Sequence, residues 1–246
     1  MPDNRTLRIV PDAAALYRAA ADEFRRSANE SIRERGRFCV ALSGGSTPRG
    51  VYSLLANGQN HSGPQLAWGK VFIFFGDERH VPPDHPDSNY RMANESLLSK
   101  VPVPQQNVYR VFADLDANEA AQKYEDQLRS FFSLQPNEFP RFDLIMLGLG
   151  PDGHTASLFP GSKALDETRR LVVANWVEKF QQYRITFTFP VLNNAAEVMF
   201  LVSGSDKSQI LREVLQGENE IHPAQRVNPK NGVLLWLIDQ LADGLT

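Results

Sequence analysis

Runs of apolar residues alternate with segments of helical period along most of the chain. Over residues 12–35, Leu16, Ala20, Phe24, Ala28 and Ile32 recur every four positions, which predicts an amphipathic helix ended by Gly36. The apolar run 38–42 (FCVAL) reads as a buried strand, 47–57 as a helix with Gly58 beyond its end, and 71–75 (VFIFF) as a second strand. A helix is expected over 88–98, a short strand over 108–111, and a helix to about Phe132 opened by the pair Asp116 and Glu119. The second half repeats the rhythm. FDLIML (142–147) is a strand followed by a short helical stretch ending at Pro160–Gly161, and 171–174 is a weak strand. RITFTF (184–189) alternates with period two, the pattern of a half-buried strand. A strand over 198–202, a helix over 206–215, and a strand over 233–239 passing into a helical turn complete the chain.

Continuous apolar strands separated by helices predict a three-layer, Rossmann-like α/β fold: a mainly parallel sheet with helices on both faces. The breaks at 57–64 and 133–140 are loop-sized, so residues 1–246 read as a single domain. Ligands of such sheets sit beyond the carboxyl ends of the strands, which directs attention to the strand-to-helix loops.

Composition narrows the partners. With 26 Lys+Arg against 29 Asp+Glu the net charge is −3, which argues against nucleic acid or an anionic membrane as the main partner. One Cys leaves no disulfide framework or cysteine-based zinc finger. The N-terminus lacks the apolar block of a secretory signal, and the longest aliphatic–aromatic run, 233–238, is far below the ~20 residues that cross a bilayer. A cytoplasmic protein is expected. The sequence sets no oligomeric state, and a monomer is compatible with it.

Three loops carry candidate chemistry. Ser43, Gly44, Gly45, Ser46 and Thr47 lead into a helix with Pro48 in its first turn, an anion site suited to phosphate; the spacing and Lys of a Walker A loop are absent. Asp77, Glu78, Arg79 and His80 crowd the end of VFIFF, but Pro82–Pro83 break any helix that would gather them round a metal. The third loop, Gly148-Leu149-Gly150-Pro151-Asp152-Gly153-His154, satisfies GxGxxG in letters only. No full helix follows, and no acidic residue stands ~20 positions on for a ribose. It does set His154 beside Asp152 on a glycine-flexed turn, and imidazole is the usual general base near neutral pH. Arg184 and Lys207 could join the Ser43 loop round one phosphate, each charge-assisted bond contributing roughly 1.5–3 kcal/mol. GxSxG is absent and Cys39 falls inside a core strand, so hydrolysis would use activated water.

The segments LSGGSTPRGVY, FFGDERHVPPDHPDSNYRMA, FDLIMLGLGPDGHTASLFPG, YRITFTFPVLNNA, VSGSDKSQIL and the closing WLID, in this order, resemble the family shared by 6-phosphogluconolactonases and glucosamine-6-phosphate isomerases, on its lactonase side. The resemblance implies hydrolysis of 6-phospho-D-glucono-1,5-lactone to 6-phospho-D-gluconate, in the oxidative pentose phosphate pathway, without cofactor or metal. It implies sugar-phosphate ligands at Ser43, Gly44, Gly45, Ser46, Thr47, Arg184 and Lys207, a general base at His154, and charged active-site positions at Asp77 and Arg79. Where the isomerases resemble GHIAFNEP, this chain reads GHTASLFP, and Phe159 replaces an acidic residue; a phenyl ring is expected neither to orient nor to charge-stabilise the histidine. Asp152 or Asp77 would orient His154, and Arg79 or loop amides near Gly150 would stabilise an oxyanion.

Overall fold

The computed structural model describes residues 5–58, 65–217 and 221–244; the first four residues and most of the 57–64 loop lie outside these. Nine strands are described: β1 Arg5–Val10, β2 Phe38–Leu42, β3 Val71–Phe75, β4 Asp77–Arg79, β5 Leu144–Gly148, β6 Val172–Val177, β7 Gln182–Phe187, β8 Glu197–Val202 and β9 Val233–Asp239. The helices are α1 Ala13–Arg35, α2 Ser46–Asn57, α3 Asn89–Ser96, α4 Ala117–Phe132, α5 Phe189–Leu192, α6 Ser208–Gln216 and α7 Gln240–Asp243.

Local chemistry explains the helix ends. Asp12 accepts from the Ala15 amide to cap α1, and Gly36 closes it in the left-handed region at φ 75°. Ser88 caps α3, and Asp116 caps α4 by accepting from the amides of Asn118 and Glu119.

Six strands form a sheet of order β1-β9-β8-β5-β2-β3, parallel throughout. The pleat sorts its side chains between two cores. Phe38, Val40, Leu42, Ile73, Met146 and Leu237 meet α1, α2 and α3 on one face. Cys39, Ala41, Phe74, Ile145, Phe200 and Trp236 meet α4, α6 and the β6–β7 pair on the other. From β3 through β9 the strands follow the order 2-1-3-4-5 in chain sequence, that of a doubly wound open sheet, while β1 adds at the far edge beside β9. Between β2 and β5 the chain's progress reverses direction, and the loops that leave these two strands flank that switch point. Among the described residues no helix is long and apolar enough to cross a membrane.

Several elements differ from the pattern-based expectation. β1 was not foreseen; it is an exposed edge strand whose apolar Leu7 and Ile9 remain about half open to solvent. The strand expected over 108–111 is one bridge, Ile73 to Val108, because the Asn107 side chain takes the edge carbonyls of Gly69 and Val71 in place of backbone. The helical stretch expected before Pro160–Gly161 is a series of turns, since Gly153 (φ 76°) and Ala156 (φ 47°) both leave the right-handed region. RITFTF is not half-buried: Ile185, Thr186 and Phe187 are all buried, because β7 is the middle strand of a second, antiparallel sheet of order β4-β7-β6. The charged Asp77–Arg79 stretch, read as loop, is the edge strand β4 of that sheet.

Candidate active site

Two tyrosines pin the ends of the strands that open the site. Tyr52 of α2 receives the Ser43 amide (2.9 Å) and donates to the Ser43 carbonyl (2.8 Å), and Tyr124 of α4 makes the same double contact with Phe75 at the end of β3. Neither is visible as a motif in the sequence. The chain beyond Ser43 turns through Gly45 at φ 106° into α2, whose Ser46 and Thr47 amides lie in the first turn, where a helix offers them no internal acceptor. The positive end of the α2 dipole thus faces a cleft of about 270 Å³. Ser43, Gly44, Gly45, Ser46, Thr47, Asp77, Arg79, Gly150, His154 and Lys207 all line that cleft.

The third loop folds so that His154 enters this space. The Gly150 amide donates to the His154 carbonyl (2.8 Å) and the Gly153 amide to the Gly150 carbonyl (3.0 Å). The Gly150 amide is therefore already engaged within the loop, while the Arg79 side chain lines the same cleft. His154 Nδ1 is hydrogen-bonded to Asp152 Oδ1. A carboxylate only accepts, so Nδ1 carries the proton and Nε2 is left as the basic nitrogen. Partial burial opposes ionisation of Asp152, but the bond and charge of His154 hold its carboxyl below the usual range. Asp152 itself lines not the main cleft but the two pockets beside it.

Asp77 does not touch His154. Its buried carboxylate accepts from Ser157 Oγ (2.6 Å) and Asn89 Nδ2 (3.3 Å), so of the two aspartates Asp152 alone contacts the imidazole. Asn89, absent from the sequence reading, is buried in the cleft wall and also donates to the Asp77 carbonyl (3.0 Å). A β-carbon on Gly44 would meet Asn89 Oδ1 at 1.9 Å, which explains a glycine there without any unusual φ. Glu78 is structural. It accepts from the amides of Arg79, Asn89 and Tyr90 and so closes the N-terminal turn of α3, while burial pushes its carboxyl above the usual range.

Among the cations, Arg79 lines the cleft, anchored by its Nη1 bond to the Asp87 carbonyl (2.6 Å). Lys207 also lines the cleft and is paired with exposed Asp206 at 3.3 Å. Its loop is fixed from below by Asp239, which accepts from Ser203 Oγ, the Gly204 amide (3.1 Å) and the Ala242 amide (2.8 Å). Arg184 is not among the lining residues. It pairs in register with Arg79 across β4 and β7, bonds Gln182 and lies 5.3 Å over the Phe180 ring. Burial and Arg79 lower its pKa, with Asp77, Asp87 and Glu78 opposing.

Three other histidines among the described residues have structural partners: His80 donates to the Leu115 carbonyl (2.7 Å), His85 accepts from the Asp87 amide (3.2 Å), and His222 contacts Glu213 (3.1 Å). Among the described residues no three His, Cys, Asp or Glu side chains converge as a metal would require. Cys39 is buried, and burial together with Asp143 pushes its thiol up to about 12, far from a thiolate nucleophile.

The family model for glucosamine-6-phosphate isomerases/6-phosphogluconolactonase matches residues 11–236. The chain belongs to this family. It is 41% identical over 242 residues to a 6-phosphogluconolactonase of Nostoc sp., covering 97% of each chain. It is 44% identical over 216 residues to that of Synechocystis sp., covering 87% of this chain and 86% of the relative. Among solved structures, 6-phosphogluconolactonase from Trypanosoma cruzi superimposes with a TM-score of 0.86 at 30% identity, over 100% of this chain and 98% of the other.

Proposed function

We propose that this chain hydrolyses 6-phospho-D-glucono-1,5-lactone to 6-phospho-D-gluconate in the cytoplasm, as a step of the oxidative pentose phosphate pathway. The similarity to 6-phosphogluconolactonases over nearly the whole chain supports the substrate. The observation that carries the chemistry is a single cleft in which His154, bonded through Nδ1 to Asp152, shares walls with the α2 N-terminus, Arg79 and Lys207.

In this reading the 6-phosphate lies against the Ser43–Thr47 turn and Lys207, while Arg184, beside Arg79 in the β4–β7 register, adds positive potential without lining the cleft. His154 Nε2 takes a proton from water, and the water oxygen attacks the lactone carbonyl; base catalysis of this kind contributes typically ~10²–10⁴-fold. Arg79 stabilises the resulting oxyanion, and the imidazolium, steadied by Asp152, returns its proton to the ring oxygen as the C1–O bond breaks. Every group comes from one chain, so a monomer is sufficient.

The test is acid release from freshly generated lactone, corrected for spontaneous opening, run beside fructose 6-phosphate formation from glucosamine 6-phosphate. The expected result is lactone hydrolysis by the parent, loss by orders of magnitude in His154→Ala, and no isomerisation. Near-parental hydrolysis by His154→Ala would overturn the assignment of the base.

A further inference from the structure

The loop that joins β6 to β7 reaches across to the back of the His154–Asp152 pair by two separate routes. The first is aromatic. The Phe159 ring, itself buried, stacks on the His154 imidazole with centroids 4.0 Å apart and planes 27° from parallel. Phe180, at the tip of the β6–β7 hairpin, packs edge-on against Phe159 at 5.8 Å, and the Arg184 guanidinium lies over the outer side of Phe180. The second route is electrostatic. Asp152 gives Oδ1 to His154 and faces Lys179 Nζ with Oδ2 at 3.7 Å. The hairpin tip is held in shape by Gln181 in the left-handed region (φ 48°), whose amide returns to the Glu178 carbonyl (3.2 Å).

The phenyl ring at position 159, which the comparison with the isomerase motif set aside, thus meets the imidazole by its flat face. An exposed Phe180, 47% accessible, costs a soluble protein apolar surface, and its contact with Phe159 gives that exposure a use. We propose that the β6–β7 hairpin tip is the positioning element of the catalytic pair, with Phe180 and Phe159 fixing the plane of the His154 ring and Lys179 balancing the charge of Asp152. This rests on the reading of His154 as the base. Neither Phe180 nor Lys179 lines the main cleft, so they act through Phe159 and Asp152 and are positioning residues.

The charged groups facing the pair come from every neighbouring element: Lys179 from the hairpin, His222 against the Asp152 carbonyl with Glu213 of α6 behind it, and Asp77, Arg79 and Lys207 across the cleft. Removing the Lys179 charge leaves the carboxylate less compensated, which favours the protonated imidazole. The base is needed unprotonated, so the acid limb of the rate profile moves to higher pH.

The experiment measures kcat and KM across pH for Lys179→Met, Lys179→Arg, Phe180→Ala, Phe159→Leu and Phe159→Tyr, together with the nuclear magnetic resonance titration of the His154 imidazole in each. Lys179→Met is expected to raise both the acid limb and the imidazole midpoint, an effect that shrinks in 0.5 M salt as screening requires, while Lys179→Arg restores both. Phe159→Leu is expected to lower kcat roughly 10- to 100-fold with KM little changed, Phe180→Ala to do so more mildly, and Phe159→Tyr to recover most of the rate. Unmoved titration and unmoved kcat in Lys179→Met and Phe180→Ala, with His154→Ala inactive, would overturn the positioning role and leave the proposed base intact. An active His154→Ala would overturn the base itself, while the imidazole titration still reports whether Lys179 and the hairpin act on the pair.

Discussion

A β-carbon on Gly150 would lie 2.0 Å from the Cε1 and Nδ1 atoms of the His154 imidazole. The glycine therefore serves neither as a dinucleotide fingerprint nor as a free amide, but as the empty volume that the histidine ring occupies. Gly150→Ala is expected to fold, because the atom displaced is a side-chain ring and not backbone. Its kcat/KM should drop by about 100-fold or more as the ring is pushed off Asp152 and Phe159. Far-UV circular dichroism beside lactone hydrolysis checks both halves; parental activity would show that the ring has room to spare.

Lys207 and Arg184 are expected to separate in substrate binding. Lys207 lines the cleft and Arg184 does not. Lys207→Ala should raise KM for the phosphorylated lactone by about 10- to 100-fold, the equivalent of one charge-assisted bond, and leave an unphosphorylated lactone nearly unaffected. Arg184→Ala should show the same selectivity at smaller amplitude. Equal effects of either variant on both lactones would remove that residue from phosphate recognition.

Asp239 is fully buried and serves three donors at once, holding the Ser203–Gly204 turn onto the first turn of α7. Asp239→Ala strands those donors and removes a helix cap, so unfolding should become easier by about 2–4 kcal/mol. The same change frees the loop that carries Lys207, and KM should rise with kcat less affected. Denaturant unfolding and steady-state kinetics on the one variant read both effects.

Glu197 sets a pH dependence far from the cleft. Arg26 of α1 is surrounded by Glu23, Glu30 and Glu197, and the last is buried at the start of β8, 2.7 Å from the guanidinium. Burial first, then the Glu23 charge, push the Glu197 carboxyl up to about 7 despite Arg26. A carboxyl raised in the folded state holds its proton more tightly than the unfolded chain does. Its contribution to stability is therefore full below the ordinary carboxylate range and is lost as pH rises through about 7. Thermal melts of the parent and Glu197→Gln from pH 5 to 8 should show the difference moving in favour of the variant. A pH-independent difference would refute it.

The period and burial of apolar residues determined the layered α/β fold by themselves, because a parallel sheet covered on both faces leaves no other pattern for runs such as FCVAL and VFIFF. The glycine-rich turn before α2 and the Asp152–His154 loop were legible for a related reason: their chemistry is contained within a few consecutive residues. What the sequence left open was every relationship between distant segments. Asp77 and Asp152 were equivalent candidates until Ser157 and Asn89 took one and His154 the other. Arg184 and Arg79 lie far apart in the chain, and only the pairing of β4 with β7 sets them side by side. Phe159 looked inert until it stacked on His154. Local propensity and patterning act over one or two turns of chain, whereas these choices depend on contacts between segments tens of residues apart. Only the packed tertiary structure brings those segments within a few ångströms, where hydrogen bonds and ring contacts decide between them.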